Sequence, residues 1–179
     1  MPGYVYANRS GKATPNDVVL TPVPAANFIV EYLLKRGLSG NILEPCRASE
    51  HGSFYSALKG IKNSTLDWCE IEEGKDFFEY NSHVDWIVTN PPYSIYDDFL
   101  LKSLEVANNV VFLCPLNKVF KSKKLDIKLH EWGGLKEIIM MGSGGSLGWP
   151  FGFPCGVLWF KKDYHGPVDF TRAYDWSKK

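Results

Sequence analysis

The chain has 179 residues, 45% of them hydrophobic and 15% aromatic, and its 20 Lys and Arg balance 20 Asp and Glu. That length suits one domain with a sizeable core, and no apolar run approaches the roughly 18–20 residues that cross a bilayer, so no membrane partner is expected. Zero formal net charge excludes a strong global attraction to nucleic acid and leaves any such binding to a local patch.

The four cysteines (Cys46, Cys69, Cys114, Cys155) lie far apart, with no CxxC pair and no CxH spacing. Three fall in apolar, strand-like runs, which predicts buried reduced thiols and no metal site. The start "MPGYVYANRSGK" lacks the apolar core of a signal peptide. Together these features predict a soluble, cytoplasmic chain.

Residues 1–20 read as a polar, irregular segment rich in Gly, Asn, Pro and Ser. "TPVPAANFIVEYLLKRG" predicts a helix: Thr21 caps it, Pro22 fits the first turn, and Gly37 stops it. "GNILEPC" is a short strand and "GSFYSALKG" the helix after it. "STLDWCEI" and "VDWIVT" are the next strands. "SIYDDFLLKSLEVANN" is a serine-capped amphipathic helix, and "NVVFLCPL" a continuous apolar strand of the kind buried on both faces of a parallel sheet. A lysine-rich helical segment covers 117–132. "LKEIIMM" and "GVLWFKK" are two further strands, separated by the glycine- and aromatic-rich loop "GSGGSLGWPFGFPC". No repeat or linker divides the chain, so one domain over 1–179 is expected.

Strands alternating with helices predict a doubly wound α/β fold. In such sheets ligands bind at the carboxyl ends of the strands. Glu44, Glu70 and Asn90 each leave a different strand at that edge. In "NPPY", Pro91 and Pro92 fix two φ angles and bias Asn90 toward an extended conformation. The Asn90 amide oxygen and the Pro91 carbonyl can then accept both protons of one NH2 group. An exocyclic amine or carboxamide is a weak nucleophile because its lone pair is delocalised. Accepting both protons returns electron density to the nitrogen and orients the lone pair, while Tyr93 stacks on the planar group that carries the amine.

"VDWIVTNPPYS" resembles the catalytic motif of S-adenosylmethionine-dependent amino-methyltransferases, most of them N6-adenine and N4-cytosine DNA methyltransferases. Asn in the first position favours adenine N6. "TPVPAANFIVEYLL" is similar to the family's segment at the methionine end of the cofactor, which implies roles for Thr21 and Pro22. "ILEPCRASEHGSFYSAL" resembles its cofactor loop, through Glu44, Pro45, Cys46, Gly52 and Phe54. "DWCEIEEGKDFFEY" is similar to the family's second-strand acid and the segment beside the adenine ring; this implies that Glu70 holds the ribose hydroxyls, Asp76 the adenine amine, and Phe77 the ring. The resemblance runs over about residues 20–162. It implies a Rossmann-like class I methyltransferase sheet, mostly parallel, with an antiparallel strand near the C-terminus, and S-adenosylmethionine as cofactor.

Two features depart from the family pattern. Ala48 stands where the first loop glycine is expected, with an insertion around Glu50 and His51. Only thirteen residues separate Glu70 from Val84, too few for the usual helix, strand and return, so the third strand is expected to be vestigial or missing.

No stretch is long enough for a target-recognition domain, so recognition is expected from loops or from a protein partner. "NKVFKSKKLDIK" offers five lysines beyond a strand end, Lys118 and Lys121 first among them, as phosphate contacts. Trp149, Phe151 and Phe153 belong to a glycine-rich loop suited to closing over an extruded base. The expected partner is nucleic acid, DNA foremost. Alternatives that share NPPY are RNA base methyltransferases, protein glutamine methyltransferases, and an inactive subunit assisting an active enzyme.

Overall fold

The computed structural model describes residues 19–119 and 122–177. The irregular first segment falls almost wholly outside these, as does Lys121. Helix α1 spans Val23–Leu34. Pro22 takes its cap position, so Thr21 stands one residue outside and makes no side-chain cap. The chain leaves α1 through Gly37 at φ 95, a left-handed turn that glycine adopts without strain.

The remaining elements are β1 (Gly40–Glu44), α2 (Ser53–Leu58), β2 (Ser64–Trp68), β3 (Val84–Thr89), α3 (Tyr96–Val106), β4 (Ala107–Pro115), α4 (Lys123–Trp132), β5 (Gly133–Ser143), β6 (Pro154–Lys162) and β7 (Asp169–Arg172). The seven strands form one sheet in the order β2-β1-β3-β4-β6-β5-β7. β6 runs antiparallel to both neighbours and every other pairing is parallel. This is the doubly wound, mostly parallel sheet with an antiparallel strand near the C-terminus that the sequence predicts. Among the described residues no strand lies outside β2. Residues 71–83 instead hold two 3-10 turns, Ile71–Glu73 and Phe77–Glu79, so the third strand is missing.

The period-2 geometry of a strand sends alternate side chains into two cores. Ile42, Trp86, Val88, Val111, Leu113, Val157 and Trp159 pack under α1 and α2. Leu43, Ile87, Val110, Phe112, Leu158 and Phe160, their immediate neighbours in sequence, pack under α3 and α4. Both faces being covered, the strand ends are left as the place where polar side chains gather.

Two local starts differ from expectation. Ser94 does not cap α3, because residues Tyr93–Ile95 form a 3-10 turn and Ile95 takes the cap position. The short strand β7 was not foreseen. It docks through buried Glu137 of β5, which accepts hydrogen bonds from Thr171 Oγ1 at 2.8 Å and from the Tyr32 hydroxyl, with Arg36 Nε 3.5 Å away. No helix among the described residues is long and apolar enough to cross a membrane, and none of their His, Cys, Asp and Glu side chains form a group of three able to hold a metal ion.

Candidate active site

β3 is buried along most of its length and stops where Pro91 and Pro92 remove two consecutive backbone donors. Asn90, half-buried at that stop, is held on both sides of its amide. Its Nδ2 donates to the Val19 carbonyl at 2.6 Å, and its Oδ1 accepts the Tyr93 hydroxyl at 2.7 Å. The amide therefore has one orientation, with the nitrogen toward Val19 and the oxygen toward the NPPY loop. Lys118, in the turn after β4, donates from Nζ to the Tyr93 carbonyl at 3.0 Å and sits 5.9 Å from the Tyr93 ring.

The aromatic loop reaches the same point. Tyr93 meets Trp149 and Phe151 edge-on, at centroid separations of 6.3 and 6.2 Å. Phe151 continues to Phe153 at 5.8 Å, and Phe153 is 56% exposed. Trp149 is buried and its indole N–H donates to the Leu20 carbonyl at 2.9 Å. The loop is braced by its own backbone: Gly144 N–H donates to the Phe153 carbonyl and Trp149 N–H to the Gly144 carbonyl. A Cβ on Gly144 would lie 2.4 Å from the Phe151 carbonyl oxygen, so only glycine admits this fold of the loop.

On the neighbouring strand ends two acids are fully buried. Glu44 Oε1 accepts from Thr89 Oγ1 at 2.5 Å and from the Cys46 N–H at 2.9 Å. Burial pushes its carboxyl up to about 8, with the nearby Glu70 adding to the shift against those two hydrogen bonds. Glu70 accepts from the Ala48 N–H at 2.7 Å and the Glu72 N–H at 3.3 Å. Its carboxyl is also raised, first by burial and then, more weakly, by Glu72 and Glu73. Ala48 reaches Glu70 by adopting φ 61, the left-handed turn for which a glycine was expected. Gly52 has an ordinary φ; its need is space, since a Cβ there would lie 2.0 Å from the Arg47 carbonyl oxygen.

The structure thus gathers Asn90, Pro91, Pro92, Tyr93, Lys118, Trp149 and Phe151 at one point, with Glu44, Pro45, Cys46, Gly52 and Glu70 on the adjoining strand ends. Thr21 joins them through its carbonyl, which accepts from Ser53 Oγ at 2.6 Å, and Pro22 follows it. Asp76 caps the turn Phe77–Glu79, accepting from the Phe78 N–H at 2.9 Å. Phe54 and Phe77 are placed otherwise. Phe54 lies in the core under α1 and α2, and Phe77 stacks 4.6 Å from Phe99 beneath α3.

Sequence reasoning passed over three contributors. Thr89 links Glu44 to the NPPY loop, and Ser53 reaches the Thr21 carbonyl. Arg47 is 7% exposed, with its guanidinium 3.4 Å above the Trp68 ring and paired to Glu73. Arg47 sits in the loop the resemblance covers, so its position was available; Thr89 donating to a carboxylate 45 residues away and Ser53 to a backbone carbonyl 32 residues away carry no such local signal.

No protein-family model matches this chain, and no curated protein matches it. Solved structures match by shape. A Listeria monocytogenes protein described as a class I S-adenosylmethionine-dependent methyltransferase superposes with a TM-score of 0.68 at 14% identity, covering 94% of this chain and 69% of that one. A Pyrococcus horikoshii protein described as an RNA methyltransferase gives 0.55 at 15% identity, covering 80% and 84%. A chain of a type I restriction–modification system gives 0.55 at 12% identity, over 85% of this chain but 44% of that longer one. The shared feature is the fold: the sheet matches that of a Rossmann-like class I methyltransferase.

Proposed function

We propose that the chain is an S-adenosylmethionine-dependent N-methyltransferase acting on an exocyclic amine, foremost adenine N6 in DNA. The observation that carries this reading is the fixed amide of Asn90, whose oxygen is presented beside Pro91 and Tyr93 at the carboxyl end of β3. The buried acids suit the cofactor. Burial holds the carboxyls of Glu44 and Glu70 above their ordinary range, and a cationic ligand bearing vicinal hydroxyls offers what they lack. Glu70 would hold the ribose, while Thr21 and Glu44 would lie toward the methionine end.

The bound cofactor supplies a methyl group on a sulfonium, already electrophilic. Asn90 Oδ1 and the Pro91 carbonyl would accept hydrogen bonds from the two amine N–H groups, which returns electron density to the nitrogen and fixes the direction of its lone pair. The surplus proton of the methylated amine would leave to solvent. Tyr93 supports the ring that carries the amine, with Trp149 and Phe151 behind it. Such acceptors act chiefly in the transition state, where the nitrogen becomes cationic and its protons are given up more readily. Asn90→Ala should therefore keep cofactor binding and lose most methyl transfer.

The RNA reading rests on the same motif and on the Pyrococcus horikoshii neighbour. Target recognition is assigned to a protein partner, in line with the restriction–modification neighbour, and a cytoplasmic location is proposed with it, since four free cysteines suit a reducing compartment. Calorimetry with S-adenosylmethionine, followed by methyl transfer to DNA, RNA and a glutamine peptide in parallel, tests the reading. Absence of cofactor binding would assign the chain to the inactive-subunit class. Transfer only to RNA or to the peptide would move the substrate.

A further inference from the structure

Three consecutive backbone carbonyls, those of Val19, Leu20 and Thr21, each accept a hydrogen bond from a side chain on a different element. Asn90 Nδ2 of the NPPY loop reaches Val19 at 2.6 Å, Trp149 Nε1 of the aromatic loop reaches Leu20 at 2.9 Å, and Ser53 Oγ at the start of α2 reaches Thr21 at 2.6 Å. Leu20 itself is 65% exposed and Val19 packs against the core under α1 and α2, so one apolar contact and three side-chain donors hold this stretch in place. We infer that residues 19–21 form a strap that sets which atom of Asn90 faces the substrate, and that Trp149 and Ser53 are positioning residues acting through it. The inference rests on the methyltransferase reading of Asn90 and adds what fixes that residue.

The chemistry follows from the donor inventory of an amide. Rotating the Asn90 carboxamide by half a turn would set its oxygen against the Val19 carbonyl oxygen and its NH2 against the substrate amine, and neither pair can hydrogen-bond. The Val19 carbonyl thus selects the productive rotamer. An ionised aspartate has no proton for Val19, so one carboxylate oxygen would stand against a carbonyl oxygen at the distance now spanned by the 2.6 Å bond. Protonation restores a donor to Val19 and leaves the second oxygen to accept. In this chain asparagine and aspartate are therefore not equivalent, although both carry an accepting oxygen. The strap also carries the position of the cofactor loop to the catalytic amide, since Ser53 follows Gly52 directly in sequence.

The test uses the full chain, S-adenosylmethionine and an adenine-containing single-stranded oligonucleotide, with transfer measured from pH 5 to 9. Relative to wild type at the same pH, Asn90→Asp should lose at least tenfold in kcat near pH 8 and regain activity as the pH falls. The comparison at each pH divides out the Glu44 carboxyl, which burial raises to about 8 beside Thr89 and which both proteins share. Trp149→Phe and Ser53→Ala should lower kcat with the oligonucleotide KM little changed, and each should shift the NMR signals of the Asn90 side-chain NH2. Wild-type kcat in Asn90→Asp at pH 8 would overturn the strap. Where wild type transfers no methyl group to any acceptor, the methyltransferase reading fails and the NMR arm decides alone. Asn90 signals unmoved in both Trp149→Phe and Ser53→Ala then overturn the strap, and shifted signals uphold it.

Discussion

At the residue scale, Tyr93 shows what side-chain geometry adds to a motif. Stacking alone needs only the ring and predicts that phenylalanine would serve as well. The hydroxyl, however, donates to Asn90 Oδ1 at 2.7 Å, so Tyr93→Phe removes a bond worth about 0.5–1.5 kcal/mol. A fall in kcat of up to about tenfold is the expected result; unchanged kinetics would return Tyr93 to a purely stacking role. Glu70→Ala should weaken cofactor binding by about 1.5–3 kcal/mol, because the residue both holds the Ala48 N–H and faces the expected ribose; calorimetric affinity equal to wild type would remove it from the site. Glu44 supplies a pH signature. Its folded-state carboxyl is raised to about 8 from an ordinary 4.5, so the folded chain keeps a proton that the unfolded chain gives up. Its contribution to stability is full below about pH 4.5 and is lost as the pH rises toward 8. The raised carboxyl of Glu70 acts in the same direction. The melting temperature of the cofactor-free protein should fall between pH 5 and 8, and Glu44→Gln should flatten that slope; a slope identical to wild type would sink the assignment.

At the element scale, the weakest strand depends on one buried acid. β7 is four residues long and mostly exposed, so packing contributes little. Glu137, 3% exposed, ties it to α1 and β5 through Thr171, Tyr32 and Arg36. Glu137→Ala removes the acceptor these donors share, and because Arg36 is 36% exposed while Tyr32 and Thr171 remain within 3.1 Å of each other, a loss of about 1–3 kcal/mol is expected; urea unfolding measures it, and a change near zero would mean that solvent already satisfies the group. This dependence also explains why β7 was illegible in the sequence. "VDWIVT" and "NVVFLCPL" announce themselves because burial on both faces demands continuous apolar runs. A partly exposed edge strand leaves no such pattern, and its anchor, Glu137, lies 34 residues from Thr171 in sequence. The same reasoning covers the site. The NPPY loop and both acids were legible because chemistry restricts their residue types. Phe54 and Phe77 matched the family spacing but have their rings packed in the cores, and the bonds to Val19, Leu20 and Thr21 use backbone carbonyls, which any residue provides.

At the scale of the whole molecule, the question is how a chain with no net charge would hold the polyanion proposed as its substrate. Three of the lysines after β4 are placed apart: Lys118 stands at the NPPY loop, while Lys124 and Lys128 of α4 line a cleft of about 760 Å³ beside Asp98, Glu105 and Glu131, where neighbouring acids screen their charge. What the strand-end surface offers beside Lys118 is apolar: Phe153 and Leu20 are each more than half exposed, the first joined to Tyr93 through Phe151 and the second through Trp149. A surface of this kind grips bases better than backbone, through stacking worth about 1–3 kcal/mol per base. Adenine N6 in a duplex is paired and cannot approach a methyl group in line, and extruding the base costs a few kcal/mol that a target-gripping domain would ordinarily offset. The isolated chain should therefore methylate single-stranded or mismatched DNA faster than paired duplex. Its affinity for a single strand should fall only shallowly with salt, with a slope of about −0.7 for each phosphate neutralised, so one or two contacts rather than five. Phe153→Ala should weaken single-strand binding about tenfold and leave that slope unchanged, whereas Lys118→Ala should flatten it. Methylation and binding measured on matched single- and double-stranded oligonucleotides at two salt concentrations check all of this. Faster reaction on duplex with a steep salt slope would show that the lysines of α4, and not the aromatic loop, hold the substrate.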